Sequence, residues 1–418
     1  MAIFFKFAAE PAATTEGLSG NYLADLVESV VYGNDIIFHF AEDKIYLEFC
    51  PEGWLFLHLA DGGFHGECQT NIAGAGFHKA ALELVETIAA TAGLVLHVED
   101  ETGYYNERNF DELRGYLYGW LGNLLTGVVM LSEQDGNTKG MQLCWPKPQE
   151  RYLPAEIPQS VITPTGRWSI EQLKSALSHP KNFADLAQRF FIWPDESKGS
   201  WFYHNCAMAR LWTDCYFMPS ERSKKDNAIN EQIIKELEFA VFLDEQQPIP
   251  HEDYRLLCQL SQHEPLNLQN TPNETYFGSI GYRKGLITEN LLGLRMIMDG
   301  HFLRGYDEDG LIFDNRLNGQ RRFIRLKVYY NNDGQAKFKN LPEEDKLFAI
   351  EKDRFHLQGW YESANEAGFS EACCVQIFAS HYLFLLVLLY EQATDRQWAM
   401  QWLDKLSFVV DEENENLP

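Results

Sequence analysis

Three short apolar runs, residues 36–40, 44–49 and 54–59, follow one another with only Ala41-Glu42-Asp43 and Pro51-Glu52-Gly53 between them. Neighbouring strands joined this tightly can pair only as antiparallel hairpins, because a parallel pair needs a crossover of about a dozen residues or more. The first part of the chain is therefore expected to be an antiparallel meander. Ahead of it, residues 21–32 place Leu23, Leu26, Val27, Val30 and Val31 at helical spacing, and Gly33-Asn34-Asp35 turns the chain. Asp61-Gly62-Gly63 turns it again, into a polar loop punctuated by Gly74 and Gly76.

That loop runs straight into a helix expected over residues 76–92. Phe77, Ala81, Leu84, Val85 and Ile88 mark its apolar face, Lys79, Glu83 and Glu86 the wet one, and Gly93 ends it. Residues 94–98 read as another strand. Asn109 then caps a second helix, with Glu112 three residues on in a capping-box pattern and an apolar stripe of Leu113, Leu117, Trp120, Leu121 and Leu124.

A chain of 418 residues exceeds what one hydrophobic core serves, so more than one domain is expected. Prolines at 146, 148, 154, 158 and 164 argue against regular structure there. The reading is an N-terminal α+β domain over residues 1–145, a proline-rich linker over 146–166, a helical region over 167–265, a C-terminal antiparallel α+β domain over 266–410 and an acidic tail over 411–418. In the helical region the clearest helices are 203–212 and 230–243. In the C-terminal part, strands are expected at 284–289, 294–299, 321–329, 355–362, 372–379 and 382–390, with a closing helix over 395–405. The fold class is α+β.

The formal charge of −26 repels nucleic acid and anionic membrane and favours basic partners, although solubility alone accounts for an acidic surface. Eight scattered cysteines without a C-x-x-C pair, and an N-terminus lacking an apolar signal core, read as reduced thiols of a cytoplasmic protein. The longest apolar run, residues 375–390, is too short to span a bilayer as a helix.

No constellation of residues announces catalysis. Gly74-Ala75-Gly76 before a helix could hold an anion on free amides. The dinucleotide fingerprint, however, needs a third glycine where Lys79 stands, and a parallel βαβ unit that the preceding hairpins make improbable. Asp307-x-Asp309-Gly310 resembles a calcium loop, but that register puts Gly305 and Arg316 at the first and last ligand positions, so a hairpin turn is expected. His251-Glu252 lacks the second histidine of a zinc helix, His204 and Cys206 do not face each other on a helix, and Cys373 and Cys374 point to opposite faces of a strand. No cofactor and no metal are expected. The carboxylates Asp100, Glu101, Glu107, Asp111 and Glu112 could form an acid–base pair or simply a solvated loop with favourable charge on a helix start. A third reading is that Tyr104 and Tyr105 among these acids make contact area for a basic protein.

The segments Thr70-Asn71, Gly74-Ala75-Gly76-Phe77-His78, Glu101-Thr102-Gly103-Tyr104-Tyr105 and Phe110-Asp111-Glu112-Leu113-Arg114 resemble those of uncharacterised bacterial proteins of type VI secretion and polymorphic-toxin loci, which are usually suspected to be immunity proteins. That group often carries Gly-Pro-Gly where this chain has Gly74-Ala75-Gly76. Tyr203-His204-Asn205-Cys206-Ala207, Ile280-Gly281-Tyr282-Arg283 and Asp395-Arg396-Gln397-Trp398-Ala399 also look like landmarks of the group. The C-terminal meander with its closing helix is similar to the PsbP/Mog1 α+β sandwich, a fold also found in chaperones of secreted effectors. The resemblance implies a cytosolic protein that binds a cognate, basic toxin and occludes it. The expected contact patch is Asn71, Gly76, His78, Asp100, Glu101, Tyr104, Tyr105 and Glu107. An adaptor for a secreted effector and a hydrolase that reverses a toxin's modification are the alternatives.

Overall fold

The computed structural model describes residues 2–12, 18–60, 62–134, 140–146, 153–154, 159–218, 224–275, 277, 280–308, 310–315, 321–330, 347–352, 355–364, 366, 368–379 and 382–408. The expected acidic tail over 411–418 and Asp309 of the calcium-like turn lie outside them. The chain divides into two compact units. The first comprises residues 1–146, 156–215 and 219–280, and the second residues 147–155, 216–218 and 281–418. The architecture is α+β, with an antiparallel meander near the N-terminus and an antiparallel sheet with a helix near the C-terminus.

The first unit begins with β1 (Phe4–Pro11), α1 (Gly20–Val31) and the meander β2 (Ile37–Ala41), β3 (Lys44–Cys50), β4 (Gly53–Ala60) and β5 (Gly63–Gln69). Helix α2 (Ala75–Ala92) and β6 (Leu94–Asp100) follow. The six strands form one sheet in the order β2-β3-β4-β5-β1-β6. Phe5, Phe7 and Ala9 of β1, Ile45 and Leu47 of β3, and Leu55 and Leu57 of β4 are buried at every second position, as a half-buried strand requires. Both β5 and β6 pair antiparallel with β1, which lies between them. Helix α2 therefore joins two strands of the same direction as a split crossover, an arrangement that the preceding hairpins had argued against. Strands β1 and β5 themselves were not expected, because β5 reads as glycine- and polar-rich loop.

Next come α3 (Tyr104–Glu107), α4 (Phe110–Gln134), β7 (Met141–Gln142) and, in the second unit, β8 (Leu153–Pro154). Strands β9 (Ser160–Thr163) and β10 (Gly166–Ser169) pair antiparallel, and β7 pairs parallel with β9. All four residues of β9 are buried, so the proline-bearing stretch does carry regular structure. Pro164 sits at the turn of the pair, where it removes no ladder hydrogen bond, and Pro158 lies outside the described residues. Helices α5 (Ile170–Ser178), α6 (Pro180–Phe190), α7 (Ser200–Thr213), α8 (Lys224–Leu243) and α9 (His251–Leu260) complete the unit. Ser169 and Gln172 form a full capping box on α5. One hydrophobic core runs without interruption from Ile3 to Ala209, so sheet and helices share a single interior.

The second unit contains β11 (Leu286–Leu291), β12 (Leu294–Asp299), β13 (Leu303–Asp307), β14 (Gly310–Asn315), β15 (Arg322–Tyr330), β16 (Leu347–Lys352), β17 (Phe355–Ser363), β18 (Glu371–Ala379), β19 (Tyr382–Tyr390), α10 (Arg396–Asp404) and β20 (Ser407–Phe408). One sheet has the order β20-β12-β11-β8 and the other β13-β14-β15-β19-β18-β17-β16. Asp307 stands opposite Gly310 at the β13–β14 hairpin and accepts from Arg325. On β18 both Cys373 and Cys374 are buried, because that central strand is covered on both faces.

Candidate functional site

The glycine loop is a seam between the sheet and the helical part of the first unit. Ile192 N–H donates to Ile72 O at 3.2 Å, Trp193 N–H to Ala73 O at 2.7 Å and Gly76 N–H to Trp193 O at 3.0 Å. Gly74 sits at φ 98°, and a Cβ there would lie 2.6 Å from Trp193 O. A Cβ on Gly76 would lie 2.1 Å from Trp193 Cδ1. Both glycines are thus required by close approach of the 191–195 segment, and one first-turn amide of α2 is taken by a protein carbonyl, not left for an anion.

Behind the seam lies a buried polar line. His78 Nδ1 is 3.0 Å from Thr70 Oγ1, and its Nε2 is 3.4 Å from Asp100 Oδ1. Asp100 also accepts from the Thr102 hydroxyl at 2.8 Å, the Thr102 N–H at 2.9 Å and the Tyr105 N–H at 2.8 Å. Burial pushes the Asp100 carboxyl up. The His78 contact and the two amides together outweigh burial, and they hold it well below the usual carboxylate range. Hydroxyl, imidazole and carboxylate in this order match the layout of an activated nucleophile. Yet Thr70 and His78 are 0% exposed, the Asp100 side chain is 0% exposed, and the imidazole is packed against the Phe5 and Tyr104 rings at 5.2 and 6.1 Å. With no face open to a substrate, the line ties the end of β6 and α3 to α2.

The expected contact patch is therefore split. Asn71, Gly76, His78 and Tyr104 are buried and the Asp100 carboxylate is enclosed, so these side chains serve the interior. Tyr105 is half-buried, with the Arg108 guanidinium 5.0 Å from its ring centre and ion-paired to Glu86. Glu101 and Glu107 are exposed. Glu101 Oε1 accepts the Phe4 N–H at 2.8 Å, and Glu107 shares a hydrogen bond with Glu112 that raises its pKa, a rise that the Glu112 charge reinforces. Asp111 and Glu112 are exposed beside them, where Asn109 caps α4 through contacts to both amides and to the Glu112 carboxylate. The surviving surface is a crowd of carboxylates around the start of α4.

His204 does not meet Cys206. Its Nε2 is 2.5 Å from Glu274 Oε2, its Nδ1 is 2.9 Å from Asn205 Oδ1, and Arg189 Nη1 reaches Glu274 Oε1 at 3.0 Å. Asn205 Nδ2 donates to the carbonyls of Gln188 and Phe191, which fixes α7 against the end of α6.

Sequence reasoning passed over a cavity of about 660 Å³ framed by the β2–β3 hairpin and helices α7 and α8. Arg210 Nε donates to Glu236 Oε1 at 3.2 Å on its wall, and Gln232 Nε2 donates to the same oxygen at 2.8 Å. Burial raises the Glu236 carboxyl, opposed by the Arg210 charge, and burial likewise raises Glu48 beside them. The three residues come from β3, α7 and α8, so no spacing in the sequence links them. The one available signal is that Glu236 falls among Ile233, Leu237 and Ala240, on the stripe of α8 that faces inward.

Among the described residues no group of three His, Cys, Asp or Glu side chains is placed to hold a metal ion, and no helix is long and apolar enough to cross a membrane. No protein-family model matches the chain. No curated protein matches it either. Among solved structures, the solution structure of cyanobacterial PsbP (CyanoP) from Synechocystis sp. PCC 6803 aligns at 6% identity over 32% of this chain and 98% of that one, with a TM-score of 0.25. A likeness that slight fixes neither fold nor function.

Proposed function

We propose that this chain is a cytoplasmic immunity protein that binds a cognate, basic, secreted antibacterial toxin and neutralises it by occlusion. The observation that carries the reading is the set of solvent-facing carboxylates Glu101, Glu107, Asp111 and Glu112, of which Asp111 is already paired with Arg114 at 2.7 Å while Glu107 and Glu112 face each other. Glu107 and Glu112 stand close enough to share a hydrogen bond and to raise the pKa of Glu107. Like charges held together are unfavourable until a cation arrives, and a Lys or Arg of a partner relieves the repulsion. The net charge of −26 adds a long-range field that draws a basic partner in, and the resemblance of the short motifs to those of toxin-locus proteins suggests a toxin as that partner.

Occlusion requires a complementary surface and no bond-making step. Charge steers association, and the half-buried Tyr105 supplies rigid contact area beside the acids. The test is the double variant Glu101→Lys/Glu107→Lys, measured by association rate against the toxin domain recovered from the native host, and by growth of cells co-expressing the two. The reading expects slower association, a weaker salt dependence and loss of protection. Unchanged association places the contact elsewhere. Tight binding without protection of growth favours an effector adaptor.

A further inference from the structure

The cavity shares no residue with the carboxylate surface. Its floor is polar and paired. Arg210 and Glu236 form an ion pair whose side chains are 21% and 7% exposed, with Glu48 close by. Its sides are apolar, made by Phe49, Phe202, Tyr203 and Phe239 together with Ile36 and Ile37. Ile37 is 48% and Phe239 40% exposed, which puts them at the mouth.

Two observations mark this wall as unfinished. Glu236 Oε2 is buried and has no hydrogen-bond partner, while Oε1 accepts twice. A buried carboxylate oxygen without a donor is costly. Among the described residues, the Arg210 guanidinium donates one hydrogen bond, from Nε, so its two Nη groups still have donors to give. The unpartnered Oε2 thus belongs to the same ion pair as a guanidinium that makes no hydrogen bond to it and keeps Nη donors for a ligand. The ionisable lining is also balanced, with Asp35, Glu48 and Glu236 against Lys198, Arg210 and Lys235. A ligand of one charge sign would satisfy one half of this wall and leave the other half bare.

We propose that the cavity binds a small zwitterion with an apolar body, of the apolar α-amino-acid class. The ligand's ammonium donates to Glu236 Oε2, its carboxylate accepts from the Nη groups of Arg210, and its side chain lies against Phe49, Phe202 and Phe239. In an α-amino acid the two charged groups are carried on one carbon, which suits anchors that belong to a single ion pair. A volume of about 660 Å³ falls within the ordinary range of small-molecule sites and leaves room for the largest of these side chains.

The experiment is isothermal titration of the full chain with L-phenylalanine, L-leucine, L-methionine and L-tryptophan. Phenethylamine, which lacks the carboxylate, and 3-phenylpropanoate, which lacks the ammonium, are the matched controls. At least one zwitterion binds, and each one-charge analogue of phenylalanine binds about tenfold more weakly or worse, the loss expected for one charge-assisted anchor. Glu236→Gln removes the negative anchor and lowers affinity by a similar factor. Ile37→Arg obstructs the mouth without touching the ion pair, and it decides the matter should the buried substitution unfold the unit. The proposal is overturned if none of the four zwitterions binds folded protein up to its solubility limit. It is equally overturned if the one-charge analogues bind as well as their parent, or if Ile37→Arg leaves affinity unchanged.

Discussion

Gly76→Ala tests whether the glycine loop is a packing seam. The added methyl would stand 2.1 Å from Trp193 Cδ1, 2.2 Å from Trp193 Nε1 and 2.3 Å from the Asp195 carbonyl oxygen. Unstrained carbon contacts lie near about 3.5–4.0 Å, so the indole and the backbone must both retreat by more than about 1 Å. The indole has little room, being 6% exposed and 4.8 Å from the Phe202 ring. Overpacking of this kind costs about 1–3 kcal/mol. The retreat also stretches the Gly76 N–H to Trp193 O and Trp193 N–H to Ala73 O hydrogen bonds, for about 1 kcal/mol each. Alanine's better helix propensity returns about 0.5–1 kcal/mol. The net loss is about 3 kcal/mol, or a fall of about 6–12 °C in midpoint for a unit of this size. Gly115→Ala is the control, since Gly115 lies inside α4 with nothing within 4 Å of the added atom, and it should gain about 0.5–1 kcal/mol. Differential scanning calorimetry of both variants reads the difference directly. Equal midpoints would refute the seam.

Further expectations follow from the same contacts. Asp100 has a folded pKa depressed below its unfolded value near about 3.9, so its contribution is present in full above that value and disappears as pH falls below it. Asp100→Asn should therefore lower stability at neutral pH by about 2 kcal/mol and flatten the acid limb of the stability curve, as urea titrations across pH would show. Arg210→Met strands Glu236 and should cost about 3 kcal/mol by urea denaturation, while Arg210→Met/Glu236→Leu should recover most of that loss. Glu107 should titrate above the ordinary carboxylate range by NMR and return to it in Glu112→Gln, because the hydrogen bond and charge of Glu112 hold it up. Of the eight free thiols, half-buried Cys144, with a pKa raised by burial to about 11, should react first with a disulfide reagent in native protein.

Local patterns carried much of the fold. The hairpins at Glu42-Asp43 and Glu52-Gly53 were legible because turn residues and apolar runs alternate there. Gly93 in the left-handed region ends α2, and Asn109 caps α4, as their neighbours in sequence foretold. What escaped depends on contacts distant in sequence. Strand β1 is made a strand by pairing on both edges with β5 and β6, more than fifty residues away. Gly76 looks like a surface position in the sequence because nothing near it there reveals Trp193 pressed against it. His78, Asn71 and Tyr104 look like contact residues in the sequence for the same reason, since a polar motif before a helix looks alike whether a second layer covers it or not. Glu48, Arg210 and Glu236 meet only after α7 and α8 pack on the meander, and that packing has no local signature.

The central claim, binding of a basic toxin through an acidic surface, is tested most directly by affinity capture of the tagged protein from its native host's lysate, at low and at physiological salt, with mass spectrometry of what co-elutes. The account predicts one stoichiometric basic toxin-domain protein, recovered more fully at low salt and protective when its coding sequence is co-expressed. Recovery of no such protein at either salt would contradict it.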